Sequence, residues 1–128
     1  MWIIKEKQSV GPLCIGNKII DLEEEFGNTF DTFKRVPDDK DTVYAFDKHG
    51  IHLTCGQDEK VKVISVFRPN KVSYLDVQLL DREILRVKEE LQSKDINLEE
   101  VDVGFWIEEA GLLLVDYEGK VDGIELYS

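Results

Sequence analysis

The sequence predicts an α+β domain: two tandem helix-plus-antiparallel-strand units whose strands join into one continuous antiparallel sheet, with both helices on one face. Three observations carry this expectation. Residues 50–67, GIHLTCGQDEKVKVISVF, and residues 111–126, GLLLVDYEGKVDGIEL, share one pattern of Gly, apolar alternation, polar turn with Lys, and alternation again. Each is preceded by apolar residues at the i, i+3, i+7 spacing of a helix. And one helix is too small to cover the apolar face of three strands, so two such units gain by lying side by side.

Taken in order, a short strand is expected over residues 2–6, WIIKE. VGPLCIG follows, and the Gly-Pro and Gly-Asn steps around it mark turns. Ile19, Leu22 and Phe26 lie on one face of a helix closed by Gly27. Asn28 to Thr42, containing Pro37 and the DDKD run of residues 38–41, reads as a polar loop. Strands are expected at 43–47, 51–55 and 61–67, separated by the turn formers HG and GQDEK. The second half repeats the order. It has a strand at about 73–79, a helix bearing Ile84, Val87 and Leu91 with Asp81 as its N-cap, and a polar loop containing DINLEE. Strands at 103–107, 112–116 and 121–127 complete it. Gly50 aligns with Gly111, Lys60 with Lys120, Val61 with Val121, Ile64 with Ile124 and Phe67 with Tyr127. The expected organisation is a single domain over residues 1–128, with pseudo-repeats at about 10–68 and 73–128.

Charge is the strongest compositional feature, at −11 overall. Residues 95–128 hold ten acids against Lys120 alone, or −9, which leaves −11 − (−9) = −2 for the first 94 residues. Such a field repels nucleic acid and anionic membranes and attracts basic partners. No run of eighteen apolar residues is present, so no membrane-spanning helix is expected. The N-terminal MWIIKEKQSVG is too poor in apolar residues for the core of a secretory signal, and the expected location is cytoplasmic. Cys14 and Cys55 are expected as reduced, at least partly buried thiols.

Catalytic patterns are missing. His49, His52 and Cys55 spell H-x-x-H-x-x-C, but on a strand positions 52 and 55 project to opposite faces and no second cluster completes four ligands. Cys55 as a nucleophile would need an electropositive site, which this composition offers sparsely. Glu99-Glu100 and Glu108-Glu109 are carboxylate pairs of the kind used in acid–base chemistry, yet nothing beside them marks a substrate pocket. DDKD lacks the calcium-loop pattern, and there is no Gly-rich phosphate loop. No catalytic residue, metal or cofactor is expected, and the chain is expected to be a binding protein rather than an enzyme.

VGPLCIGNKIIDLEEEFG resembles the G-P-L-x-[IL]-G-x-x-x-x-[DE]-[LV]-x-x-x-[LF]-G opening of duplicated helix–sheet domains. That architecture is similar to the β-lactamase inhibitor protein fold, whose tandem units grip partners on a concave sheet. Proteins of this shape and size also occur among immunity proteins of bacterial contact-dependent growth inhibition systems. The matching words, VGPL-x-IG and the two hairpins, are structural, so no binding residue is carried over from the resemblance. What it implies is an immunity protein that neutralises a cognate cationic toxin, expected to be a nuclease, by occluding its active site or an exosite. Nucleases line their clefts with Lys and Arg, and an acidic inhibitor gains roughly 10–10³-fold in association rate from steering. The alternative is an adaptor or assembly factor that binds a basic protein segment. The expected partner-binding residues are the acids of the last third, Glu99, Glu100, Asp102, Glu108, Glu109, Asp116, Glu118 and Asp122, with Trp106 as an aromatic anchor. Phe105 and Trp106, adjacent on a strand, point to opposite faces, one to the core and one outward.

Overall fold

A computed structural model describes residues 1–27 and 29–128, a mixed α+β fold with two short helices and mostly antiparallel strands. The order is β1 (Trp2–Lys5), β2 (Ser9–Val10), β3 (Leu13–Cys14), α1 (Ile19–Phe26), β4 (Asp31–Phe33), β5 (Thr42–Phe46), β6 (Ile51–Cys55) and β7 (Val61–Phe67). It continues with β8 (Val72–Tyr74), β9 (Val77–Gln78), α2 (Ile84–Gln92), β10 (Glu99–Val101), β11 (Gly104–Ile107), β12 (Leu112–Tyr117) and β13 (Lys120–Tyr127).

The larger sheet has eight antiparallel strands in the order β10-β11-β12-β13-β7-β6-β5-β4. Two meanders meet at its centre, where β13 pairs with β7 and Leu126 stands opposite Ile64. A second, five-stranded sheet, β3-β2-β1-β8-β9, includes the parallel pair β1 and β8. This corrects the single-sheet expectation. The SYLDVQLL segment is not one strand. Leu75 and Asp76 take left-handed φ values of 51° and 65°, which folds it into a tight β8–β9 hairpin.

Two more strands lie inside segments expected to be loops. β4 and β10 are the outer strands of the large sheet, and their residues are almost all exposed. An edge strand without a buried face has no apolar alternation, and so leaves no period-two signal. The expected Asp81 cap is also corrected. Helix α2 begins after Glu83 with no side-chain cap, its Ile84 N–H donating to the Gly119 carbonyl at 2.9 Å. Asp81 instead sits at φ 61° and pairs with Arg68 at 3.3 Å.

One face of the large sheet is the core. Ile51, Leu53, Ile64, Val66, Leu112, Leu114, Ile124 and Leu126 are fully buried in one cluster with Ile19 and Leu22 of α1 and Ile84, Val87 and Leu91 of α2. Phe26 of α1 packs on Phe46 with ring centroids 6.0 Å apart, and Lys88 of α2 lies 5.0 Å over the Phe105 ring. Phe46 stands opposite Ile51 and Phe105 opposite Leu114, so both helices meet the same face.

Local geometry recurs between the halves. Phe67 N–H donates to the Gly50 carbonyl at 2.8 Å, and Tyr127 N–H to that of Gly111 at 2.7 Å. Gly50 and Gly111 have φ of 65° and 64°, a left-handed conformation that costs glycine little and explains why Gly stands at both places. Val61 N–H donates to Asn17 and Val121 N–H to Arg82, both at 2.9 Å. A β-bulge inserts Lys62 into β7 and another inserts Asp122 into β13. Each bulge lets residues three apart, Val61 with Ile64 and Val121 with Ile124, all turn into the core.

Candidate functional site

The other face of the large sheet carries the candidate site. Because directly opposed residues share a face, the register sets Glu99, Trp106, Leu113, Glu125, Ser65 and His52 in one row. A neighbouring row holds Tyr127, Val63, Thr54, Val43 and Phe33.

The two halves of this face are finished differently. On the N-terminal half, Val43, Ala45, Thr54 and Ser65 point away from the helices yet are only 1–6% exposed. Residues 33–41 fold back over them. Phe33 meets the edge of His52 at 5.9 Å, Arg35 reaches Glu125 at 3.4 Å, and Asp41 pairs with Lys62 at 3.1 Å. On the C-terminal half, Trp106, Leu113, Val115 and Tyr127 stay half-exposed. That is a patch of aromatic and branched side chains in contact with water.

At the boundary sits Glu125, its side chain 14% exposed. Its carboxylate accepts hydrogen bonds from the Tyr127 hydroxyl at 2.8 Å, the Ser65 hydroxyl at 3.3 Å and Arg35 at 3.4 Å. Burial, then the Glu125 hydrogen bond and charge, push the Tyr127 phenol up to about 12, with Arg35 opposing them. The Trp106 indole stands edge-on to the Tyr127 ring at 5.7 Å and donates its N–H to Glu108 at 2.5 Å. Phe105, one residue before, is buried on the helix side.

The expected site residues fall into three groups. Glu99, opposite Trp106, and Glu108, its hydrogen-bond acceptor, join Trp106 on the open face. Glu100, Asp116 and Glu118 line a separate pocket of about 460 Å³ on the helix side, with Glu83, Ile84, Leu85, Phe105 and Lys120. There Asp116 accepts the Gly119 N–H at 2.8 Å, which fixes the β12–β13 turn. The rest stand apart. Asp102 and Glu109 are exposed in turns, and Asp122 is the bulge residue bound to Arg68 at 2.8 Å. Sequence reasoning left Glu125 and Tyr127 out of the site, although period-two alternation from buried Ile124 and Leu126 puts both on the open face. Arg35 had no such signal, since its partner is 90 residues away.

Cys55 is buried, and burial, with Asp58, Glu59 and Asp41 nearby, pushes its thiol up to about 12. Cys14 is exposed, which corrects the expectation for it. In β3 the alternation turns Leu13 inward and Cys14 outward. Among the described residues no group of three His, Cys, Asp or Glu side chains could hold a metal ion, and no helix is long and apolar enough to cross a membrane.

No protein-family model matches the chain, and comparisons with curated proteins and with solved structures give no match.

Proposed function

We propose that this chain is an immunity protein, a stoichiometric inhibitor that acts in the cytoplasm on a cognate basic toxin, a nuclease in the simplest case. It docks the open half of its eight-stranded sheet onto the toxin's cationic cleft or a neighbouring exosite. The observation that carries this reading is the half-exposed Trp106–Tyr127 pair set among Glu99, Glu108 and Glu125. Aromatic anchors ringed by carboxylates fit a surface rich in Lys and Arg: the rings supply buried area, and the acids supply steering and register. The net charge of −11 adds a long-range field of the same sign. The scaffold is read as two copies of one helix–sheet unit, supported by the recurring hydrogen bonds at Gly50 and Gly111 and the recurring bulges at Lys62 and Asp122.

The test is to titrate a toxin domain encoded immediately upstream with this protein and follow nuclease activity. The expected result is complete inhibition at one equivalent, weakened about 30-fold or more by Trp106→Ala, in keeping with a loss of roughly 2 kcal/mol at an aromatic anchor. Glu100→Gln and Glu118→Gln, on the far side, leave inhibition unchanged. Tight binding without inhibition would favour an adaptor for a basic segment. Inhibition indifferent to Trp106→Ala would move the interface off this face.

A further inference from the structure

We propose that Glu125 is the receptor for an arginine side chain of the partner, and that Arg35 holds this place in the free protein. The proposal rests on the reading that the open face binds a basic protein, and it names the chemistry at the centre of that face.

Glu125 lies on the central strand β13, at the boundary between the covered and uncovered halves of the sheet. Its carboxylate is polarised from two sides. Oε1 takes the Tyr127 hydroxyl, and Oε2 takes the Ser65 hydroxyl and the Arg35 guanidinium. A carboxylate this buried is costly to leave without a cation, so the free chain supplies its own. The supply is loose: the Arg35 contact is 3.4 Å long and the Arg35 side chain is 47% exposed. The segment carrying it is held independently of Arg35: Asp41 ties it to Lys62 at 3.1 Å, and its own turn is closed by Lys34 donating to the Asp39 carbonyl at 2.9 Å. Arg35 can therefore leave without unravelling the turn behind it.

The fit beneath the segment is also imperfect. Thr54, which points to this face and is 6% exposed, has a buried hydroxyl with no hydrogen-bond partner among the described residues. An unsatisfied buried hydroxyl costs stability, so this packing holds the segment less firmly than a fully paired one would. Arginine is favoured over lysine because its planar fork can engage a carboxylate and lie against the neighbouring Tyr127 and Trp106 rings at once. The intramolecular arginine then acts as a competitor, lowering apparent affinity by the fraction of time that it occupies Glu125.

The experiment uses tetra-arginine and tetralysine peptides as probes, titrated into the isotope-labelled full chain while the Trp106 indole N–H resonance is followed. Tetra-arginine should shift that resonance at lower concentration than tetralysine. Arg35→Gln should tighten tetra-arginine binding roughly two- to fivefold, the range expected for loss of a half-exposed competing ion pair. Glu125→Gln should weaken it at least tenfold, whereas Glu118→Gln, the same charge change on the other side of the sheet, should leave it nearly unchanged. Equal binding of the two peptides, no gain in Arg35→Gln, or equal losses in Glu125→Gln and Glu118→Gln would overturn the proposal. Arg35→Gln alters an exposed side chain, so it remains decisive if Glu125→Gln unfolds. Toxin inhibition without an arginine preference would sink this inference and leave the immunity reading standing; the expected peptide behaviour without inhibition would do the reverse.

Discussion

Gly123 offers a direct test of how the two meanders meet. It lies on β13 opposite Phe67 of β7, at the central seam of the large sheet. Its backbone is not left-handed, so conformational freedom does not explain the glycine. The Phe67 ring does. A Cβ at position 123 would sit 2.7 Å and 3.1 Å from two ring carbons and 3.3 Å from the Val66 carbonyl oxygen. Ordinary carbon contacts begin near 3.5 Å, so Gly123→Ala requires the ring to move by roughly 0.8 Å. The ring is hemmed in by His52, whose centroid is 4.8 Å away. Overpacking of this kind costs about 1–3 kcal/mol. Phe67→Ala alone should also destabilise, by about 1–2 kcal/mol for a half-exposed ring. Once the ring is gone, Gly123→Ala should become neutral or slightly stabilising, since the methyl group has room and the unfolded chain loses freedom. Urea denaturation of the two single variants and the double variant measures this. A coupling of at least about 1 kcal/mol in favour of the double variant is expected, at unchanged urea dependence. Simple additivity, or a neutral Gly123→Ala, would refute the close packing of Phe67 on Gly123.

Other consequences can be checked separately. A thiol reagent should label Cys14 in the native protein within minutes, while Cys55 should react only on unfolding, because it is buried and its thiol is raised to about 12. Fast labelling of two thiols per chain would contradict this. The phenols of Tyr44, Tyr74 and Tyr127 are all raised above their ordinary 10.0, chiefly by burial. Native chains therefore hold these protons more tightly than unfolded ones, and their contribution to stability is full below pH 10 and is lost progressively as pH rises above 10, for Tyr127 through about 12. Ultraviolet titration should show delayed phenolate formation in the native protein, and Glu125→Gln should bring the Tyr127 titration down towards 10. A Tyr127 titration that Glu125→Gln leaves unmoved would show that burial alone, and not the Glu125 hydrogen bond, holds the phenol proton.

Local periodicity was enough to read the α+β class, the helices around Ile19–Leu22–Phe26 and Ile84–Val87–Leu91, and the inner strands of the large sheet. The turn pairing of Gly50 with Gly111 was legible for the same reason, since a left-handed turn leaves a glycine at a fixed offset from the strand it opens. Alternation placed Phe105 and Trp106 on opposite faces, and the packing of Phe105 against α2 decided that Trp106 is the outward one. Such signals all report the burial of a residue relative to its immediate neighbours. They are silent where burial is absent or comes from a distant part of the chain. β4 and β10 escaped because edge strands are exposed on both faces, and the five-stranded sheet escaped because its β1–β8 pairing joins segments some seventy residues apart. The acids of the last third formed one group in the linear count, but strand alternation, the bulge at Asp122 and the turns at Asp102 and Glu109 divide them between two faces and an edge. The position of Arg35 on Glu125 was decided by tertiary structure alone, because only folding the loop over the sheet brings the two charges together.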